Sequence, residues 1–157
     1  MKKAGQWKMS DKRTRLTRVF KKNEITLAYL FGSQRDAGLN YLYGEKAIID
    51  ETSDLDIGIL MKTPPLSMYK FYGSIYSDVA TIFDPFNIDI VFLHEVNFLL
   101  KFEIIKGHRI YAADEKFADD YEENVMRFAS DLSFKRKISE EDFLEALKNG
   151  YFEIELK

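Results

Sequence analysis

Hydrophobic positions recur along the chain with two periods, near two and near 3.6, and each change of period marks an element. Three apolar runs rich in β-branched and aromatic residues read as buried strands, at residues 26–31, 55–61 and 87–93. Helical spacing first appears at Leu16, Val19 and Phe20, predicting a helix over 11–22 with Ser10 as its N-cap. It returns at Leu66, Tyr69, Tyr72, Tyr76, Val79 and Phe83, a stripe whose aromatic density suits core or interface packing better than base stacking. That helix should close near Asp84 and Pro85, and another should run over 97–106 to a stop at Gly107. Residues 109–112 read as a short peripheral strand. Phe117, Tyr121, Val125, Phe128 and Leu132 predict a helix over 116–132, with Asp119, Asp120, Glu122 and Glu123 on its outer face. Ser139 and Asp142 read as the capping box of a further helix with Phe143, Leu144 and Leu147 on one side, ended by Gly150. Residues 151–156 then alternate like a strand, suited to a sheet edge or a second protomer.

Between the first two strands, residues 34–53 read as a polar loop, with Gly38, Tyr41, Tyr43 and Gly44 inside its central stretch. The order of elements predicts an α/β (α+β) domain, a mixed sheet flanked by helices. One domain of 157 residues can bury a substantial core. Within it, 1–25 reads as a basic helical arm, 26–132 as the core and 133–157 as a helix–strand extension.

Composition narrows the classes. Hydrophobic residues at 46% and aromatics at 15% exclude a disordered chain. No apolar run reaches the length of a membrane span, and with no cysteine there is neither a disulfide framework nor a thiolate zinc site, so a cytoplasmic protein is expected. The net charge of -3 hides an asymmetry: residues 1–22 carry nine Lys or Arg against Asp11, +8 in all, leaving -11 elsewhere. Such a run is usually a solvated helix face, and it is read as one here.

The candidate chemistry lies where aspartate interrupts strands. Aspartate is depleted there because it competes for backbone hydrogen bonds and resists burial. Asp54 and Asp56 nevertheless flank Leu55 at the start of the second strand, and Asp89 sits inside the third. Alternation places Asp54 and Asp56 on one face while Leu55, Ile57 and Ile59 face the core. An oxygen-rich set of this kind suits Mg²⁺, which shares its ligands with substrate phosphates. Gly32 and Ser33 break the first strand abruptly, where exposed N–H groups and a hydroxyl can cradle a phosphate. His94 and His108 are too far apart in sequence for a histidine metal centre or a Ser-His-Asp triad, and no Walker-type loop or Gly-x-Gly-x-x-Gly occurs.

Leu30-Phe31-Gly32-Ser33, Ser53-Asp54-Leu55-Asp56 and Ile88-Asp89-Ile90-Val91 resemble the Gly-Ser, Asp-x-Asp and third-Asp motifs of the DNA-polymerase-β-like nucleotidyltransferase superfamily. The nearest likeness is to the minimal nucleotidyltransferases, including the antitoxins of HEPN–nucleotidyltransferase pairs. It continues through residues 104–111 and covers about 26–132. The interval from Gln34 to Ser53 is longer than the family's usual one.

The resemblance implies a polymerase-β-like fold and Mg²⁺-dependent transfer of a nucleoside monophosphate, AMP from ATP by default or another NTP. Two Mg²⁺ ions would be held by Asp54, Asp56 and Asp89. Asp89 would serve the acceptor, and Gly32, Ser33 and Arg35 would hold the phosphates. The acceptor stays unidentified, with a partner protein such as a HEPN-type toxin among the candidates; a nucleic-acid partner is not favoured, and a homo-oligomer stays open. The rival reading is a non-catalytic, antitoxin-like module that neutralises a toxin by contact, and a third is an RNA-modifying enzyme using the basic arm. If the arm is a solvated face, a salt titration of RNA binding should find only weak, nonspecific affinity at physiological ionic strength; a tight, steeply salt-dependent complex would contradict this.

Overall fold

The structure, a computed structural model, describes the backbone of residues 4–149 and side chains from residue 11 onward. In chain order it comprises α1 (Ala4–Lys22), β1 (Ile25–Phe31), α2 (Arg35–Leu42), β2 (Leu55–Met61), α3 (Met68–Phe83), β3 (Ile88–Phe92), a 3₁₀ turn (Leu93–Glu95), α4 (Phe98–Ile105), β4 (His108–Ala112) and α5 (Glu115–Lys148). The strands form one mixed sheet in the order β3-β2-β1-β4. β1 runs antiparallel to both β2 and β4, while β2 and β3 are parallel and joined through α3.

Strand alternation splits the core in two. Leu30, Leu55, Ile57, Ile59, Ile88 and Ile90 face the layer of α1, α2 and α3, where Leu16, Phe20, Leu42, Ile75 and Val79 meet them. Leu27 and Tyr29 face the opposite layer, with Ile104 of α4 and Ala118 of α5. Arg109 of β4 fixes that layer. Its guanidinium donates to Glu115 at 2.8 Å, Asp119 at 3.2 Å and Glu122 at 3.1 Å, and Glu122 also accepts from the Tyr29 hydroxyl at 2.6 Å. Burial and the neighbouring Glu122 hold the Tyr29 phenol well above its ordinary value, so it stays a donor. Asp119 and Glu122 are therefore paired with β4, not spread over a free outer face as their spacing suggested.

The strand expectations hold to within a residue or so at each end, and four helix expectations change. α1 begins at Ala4, so Ser10 lies inside it and is no cap. The supposed loop over 34–53 contains α2, whose Gly38 allows a close approach to β2: a Cβ there would lie 2.6 Å from Leu55 Cδ1. The buried stripe of α3 is Ile75, Val79, Ile82 and Phe83, while Leu66 precedes the helix and Tyr69 is 90% exposed. The aliphatic residues take the core, and the tyrosines stay at the rim.

The two C-terminal helices are one, α5, because 133–138 contains neither Gly nor Pro and its lysines and arginine favour helix. Ser139 is internal to that helix. Asp114 is the real N-cap, accepting from the backbone N–H of Lys116 and Phe117 at 2.9 and 3.2 Å. Gly150 and the expected strand at 151–156 lie outside the described residues.

Phe20 is fully buried, and its ring stacks on Tyr111 of β4 at 5.3 Å. The second half of α1 is thus core as well as basic face. Phe20→Ala should cost about 3–5 kcal/mol in chemical denaturation, whereas Arg18→Ala on the solvent face should change stability by about 0.5 kcal/mol or less.

Candidate active site

β1 ends at Phe31, and the chain turns at Gly32 with φ +77°, a left-handed conformation that favours glycine. Across the turn β2 begins. The register pairs Phe31 with Asp56 on one side, and Asp56 with Asp89 on the other. Because Leu55, Ile57, Ile88 and Ile90 are committed to the core under α1–α3, Asp56 and Asp89 must face the opposite side of the sheet, and Asp54 shares their alternation. A Cβ at residue 32 would lie 2.1 Å from Asp56 Oδ2, so the carboxylate occupies the space a side chain would need.

Asp54 and Asp89 are exposed and Asp56 is half-buried. Burial first, then the charges of Asp89 and Asp54, raise the Asp56 carboxyl above its ordinary value. Among the described residues, no lysine, arginine or histidine forms an ion pair with any of the three. Ser33 is exposed on the turn. Arg35, also exposed at the start of α2, influences Asp36 and is not brought against the three aspartates.

The geometry bears on a metal in two ways. Among the described residues, no three or more His, Asp or Glu side chains are placed so that together they could hold a metal ion. The Asp56 carboxyl is nevertheless half-buried, crowded by two acids and without a cation, which suits an ion completed by ligands from a phosphate substrate.

The family model described as Polymerase beta, Nucleotidyltransferase matches residues 14–116, about two thirds of the chain. The chain belongs to that family.

Solved structures agree on the fold of this nucleotidyltransferase. One similar chain comes from the complex of tri-AMPylated Shewanella oneidensis HEPN toxin with MNT antitoxin; identity is 14%, TM-score 0.58, and the match covers 87% of this chain and 98% of that one. A second comes from a toxin–antitoxin structure with AMP-PNP, at 16% identity and TM-score 0.59, covering 84% and 98%. A third, from the toxin–antitoxin MntA-HepT, has 14% identity and TM-score 0.58, covering 86% and 98%. No curated protein matches the chain.

Two residues that brace the elements around the candidate site were not foreseen. Gln34, next to Ser33, is 4% exposed and is the buried polar side chain among the described residues. Its amide donates to Ser53 O at 2.6 Å and accepts from Asp50 N at 2.9 Å, so one side chain clamps the turn after β1 to the segment leading into Asp54. Asp50 stiffens that segment by accepting from the backbone and hydroxyl of Thr52 at 2.9 and 2.6 Å, bonds that hold its carboxyl below the ordinary value. A lone glutamine in a polar stretch carries no sequence signal of this. His108 is the second: its Nε2 lies 2.7 Å from Asp36 Oδ1, tying β4 to the first turn of α2. A cavity of about 680 Å³ between α1 and β4, lined by Arg13, Arg18, Lys21 and Tyr43, is separate from the three aspartates.

Two outcomes follow from the site's electrostatics and packing. Because the Asp56 carboxyl is raised in the folded state, its charged form opposes folding as pH rises from 3.8, the ordinary value, through the folded one. In chelator at neutral pH, Asp56→Asn should melt at or above the parent, with the difference closing at low pH; a lower melting temperature throughout would mark Asp56 as structural. Gln34→Ala leaves Ser53 O and Asp50 N without their clamp and should cost about 1–3 kcal/mol in urea denaturation, with weakened nucleotide binding.

Proposed function

We propose that this nucleotidyltransferase moves AMP from ATP onto a hydroxyl of a partner protein of the HEPN toxin class. The observation that carries the reading is the set of three uncompensated aspartates at adjacent strand starts, with Asp56 packed over the glycine turn. The similar chains support donor and acceptor: one comes from a complex with a tri-AMPylated HEPN toxin, another from a complex with AMP-PNP.

Asp54 and Asp56, with Asp89 beside them, are the groups that would hold two Mg²⁺ ions, which when bound offset charge on the triphosphate and on the oxygens that enter and leave. The backbone N–H groups at Gly32 and Ser33 and the Ser33 hydroxyl hold phosphate oxygens, with Arg35 a longer-range positive charge. Asp89, exposed at the outer strand, takes the proton of the acceptor hydroxyl as its oxygen attacks the α-phosphorus. The new O–P bond forms, the bond to the bridging oxygen breaks, and pyrophosphate leaves. A contact-only module would have no use for a half-buried Asp56 carboxylate crowded by two further acids, and that disfavours the non-catalytic alternative.

Incubation with each α-labelled NTP, Mg²⁺ and candidate acceptors, read by mass spectrometry, tests the proposal; no labelled protein under any condition would refute it. Mg²⁺ with ATP should raise the melting temperature, and at a hundredfold excess over Kd the stabilisation is about 2.7 kcal/mol. Asp54→Asn and Asp56→Asn should lose most of that gain together with transfer. Asp89→Asn should keep nucleotide binding and lose about 10²–10⁴-fold in transfer rate.

A further inference from the structure

The basic face of α1 is not all open surface. Residues 13, 17 and 21 recur at four-residue spacing, one step round the helix from the core stripe of Leu16 and Phe20. They form one wall of the cavity of about 680 Å³ between α1, the end of α2 and β4. A neighbouring cavity of about 650 Å³ shares Arg13, Thr17, Lys21, Tyr43 and Ile110 with it and runs on along β4 to Ala113. The two are one groove. Leu16, Phe20 and Leu42, all buried, supply its apolar lining, and the exposed Arg13, Arg18 and Lys21 supply its charge.

That charge is uncompensated. The single acid of α1, Asp11, pairs with Arg15 at 3.8 Å, and Glu115 on the far wall is held by Arg109 at 2.8 Å. Among the described residues, no carboxylate forms an ion pair with Arg13, Arg18 or Lys21. The helix macrodipole favours a cation in the last turn, which accounts for Lys21 but not for Arg13 in mid-helix. Arg13 instead lies over the Tyr43 ring, its guanidinium carbon 4.4 Å from the centroid. Stacking of this kind orders a guanidinium and leaves its N–H groups free to donate. A cleft lined by charges of one sign concentrates the opposite ion, and guanidinium and ammonium donors match phosphate oxygens. Arg13 and Lys21 stand about 12 Å apart along the helix axis, room for more than one phosphate.

We propose that this groove is a second binding site, for a small phosphorylated ligand that carries a ring, the class of a free nucleotide. Arg13, Arg18 and Lys21 hold its phosphates, and Tyr43 with the apolar lining receives its ring. No acid lines the larger cavity, so side-chain cations take the part that a metal ion plays beside carboxylates. Its volume is that of a small-molecule site and not of a long track for a polymer. The groove is separate from Asp54, Asp56 and Asp89, so it stands or falls independently of the nucleotidyl-transfer reading.

The test is calorimetry on the full chain in chelator, with ADP, inorganic pyrophosphate and adenosine as probes. A 5′-phosphorylated RNA oligonucleotide and a glutamate-rich peptide serve as the other arms. ADP should bind one to one, more tightly than pyrophosphate or adenosine, and more weakly as salt rises. Arg13→Gln/Lys21→Gln should melt as the parent does, since both side chains are exposed. It should bind ADP and pyrophosphate about 10- to 100-fold more weakly, the scale of one lost charge-assisted hydrogen bond. Tyr43→Ala should weaken ADP and leave pyrophosphate as in the parent. Ser33→Ala, at the phosphate turn, should leave ADP binding in chelator unchanged. The site is overturned by absence of ADP binding in chelator, by equal binding to parent and double variant, or by its loss in Ser33→Ala. Tighter binding of the RNA or of the peptide than of ADP overturns it as well. None of these outcomes bears on nucleotidyl transfer, which is read with Mg²⁺ present and from label transferred.

Discussion

One small volume of space lies between the turn after β1 and the start of β2, and two residues compete for it. Gly32 leaves it empty, and an oxygen of Asp56 fills it. That contact requires a left-handed turn at the end of β1, an antiparallel partner that brings Asp56 opposite Phe31, and a parallel third strand that sets Asp89 alongside. Each requirement fixes something larger. The turn sends the chain directly into α2, the antiparallel pairing fixes which face of β2 meets the core, and the parallel pairing demands the α3 crossover. The charged cluster is therefore a product of the sheet's register, and a one-residue slip in β2 would turn Asp56 into the core and Ile57 out of it.

The three aspartates of the candidate site stand out in the chain for a reason tied to that register. A carboxylate within a period-two apolar run conflicts with local propensity, and conflicts of this kind gather where function is built. Asp54, Asp56 and Asp89 stand out against Leu55, Ile57, Ile88 and Ile90, and the strands follow from the same pattern. α2 was hidden because Gly38, which reads as a helix breaker, is there to let the helix lie against Leu55. The stripe of α3 was right at Val79 and Phe83 and missed Ile75 and Ile82, because tyrosine and isoleucine stripes overlap on that helix and periodicity alone does not say which is buried. Gln34 and His108 act through partners 16 or more positions away, and no local pattern announces such pairs.

The two residues at the start of β4 divide their labour between the layers. His108 bonds to Asp36 at the head of α2, and Arg109 grips Glu115, Asp119 and Glu122 on α5. Successive strand residues point to opposite faces, so this outermost strand holds both helix layers from one short segment. Most of these ion pairs are substantially exposed and individually weak. Arg109 and Glu122 are the more sheltered, and with the Tyr29 hydroxyl they form the network's interior end.

α5 extends well beyond the side chains it buries. Its 34 residues span about 51 Å, yet its buried side chains, Ala118, Val125 and Ala129, all lie in its first half, and every residue from 130 to 145 is exposed. The first half is welded to α4 and the sheet and opens only when the domain does. The second half, about 19 residues, adds no buried side chain among the described residues, so more of its stability rests on its own backbone hydrogen bonds. Amide exchange should accordingly be uneven along this one helix, slow before Ala129 and fast after it. A helix that is continuous in geometry is thus anchored unevenly along its length.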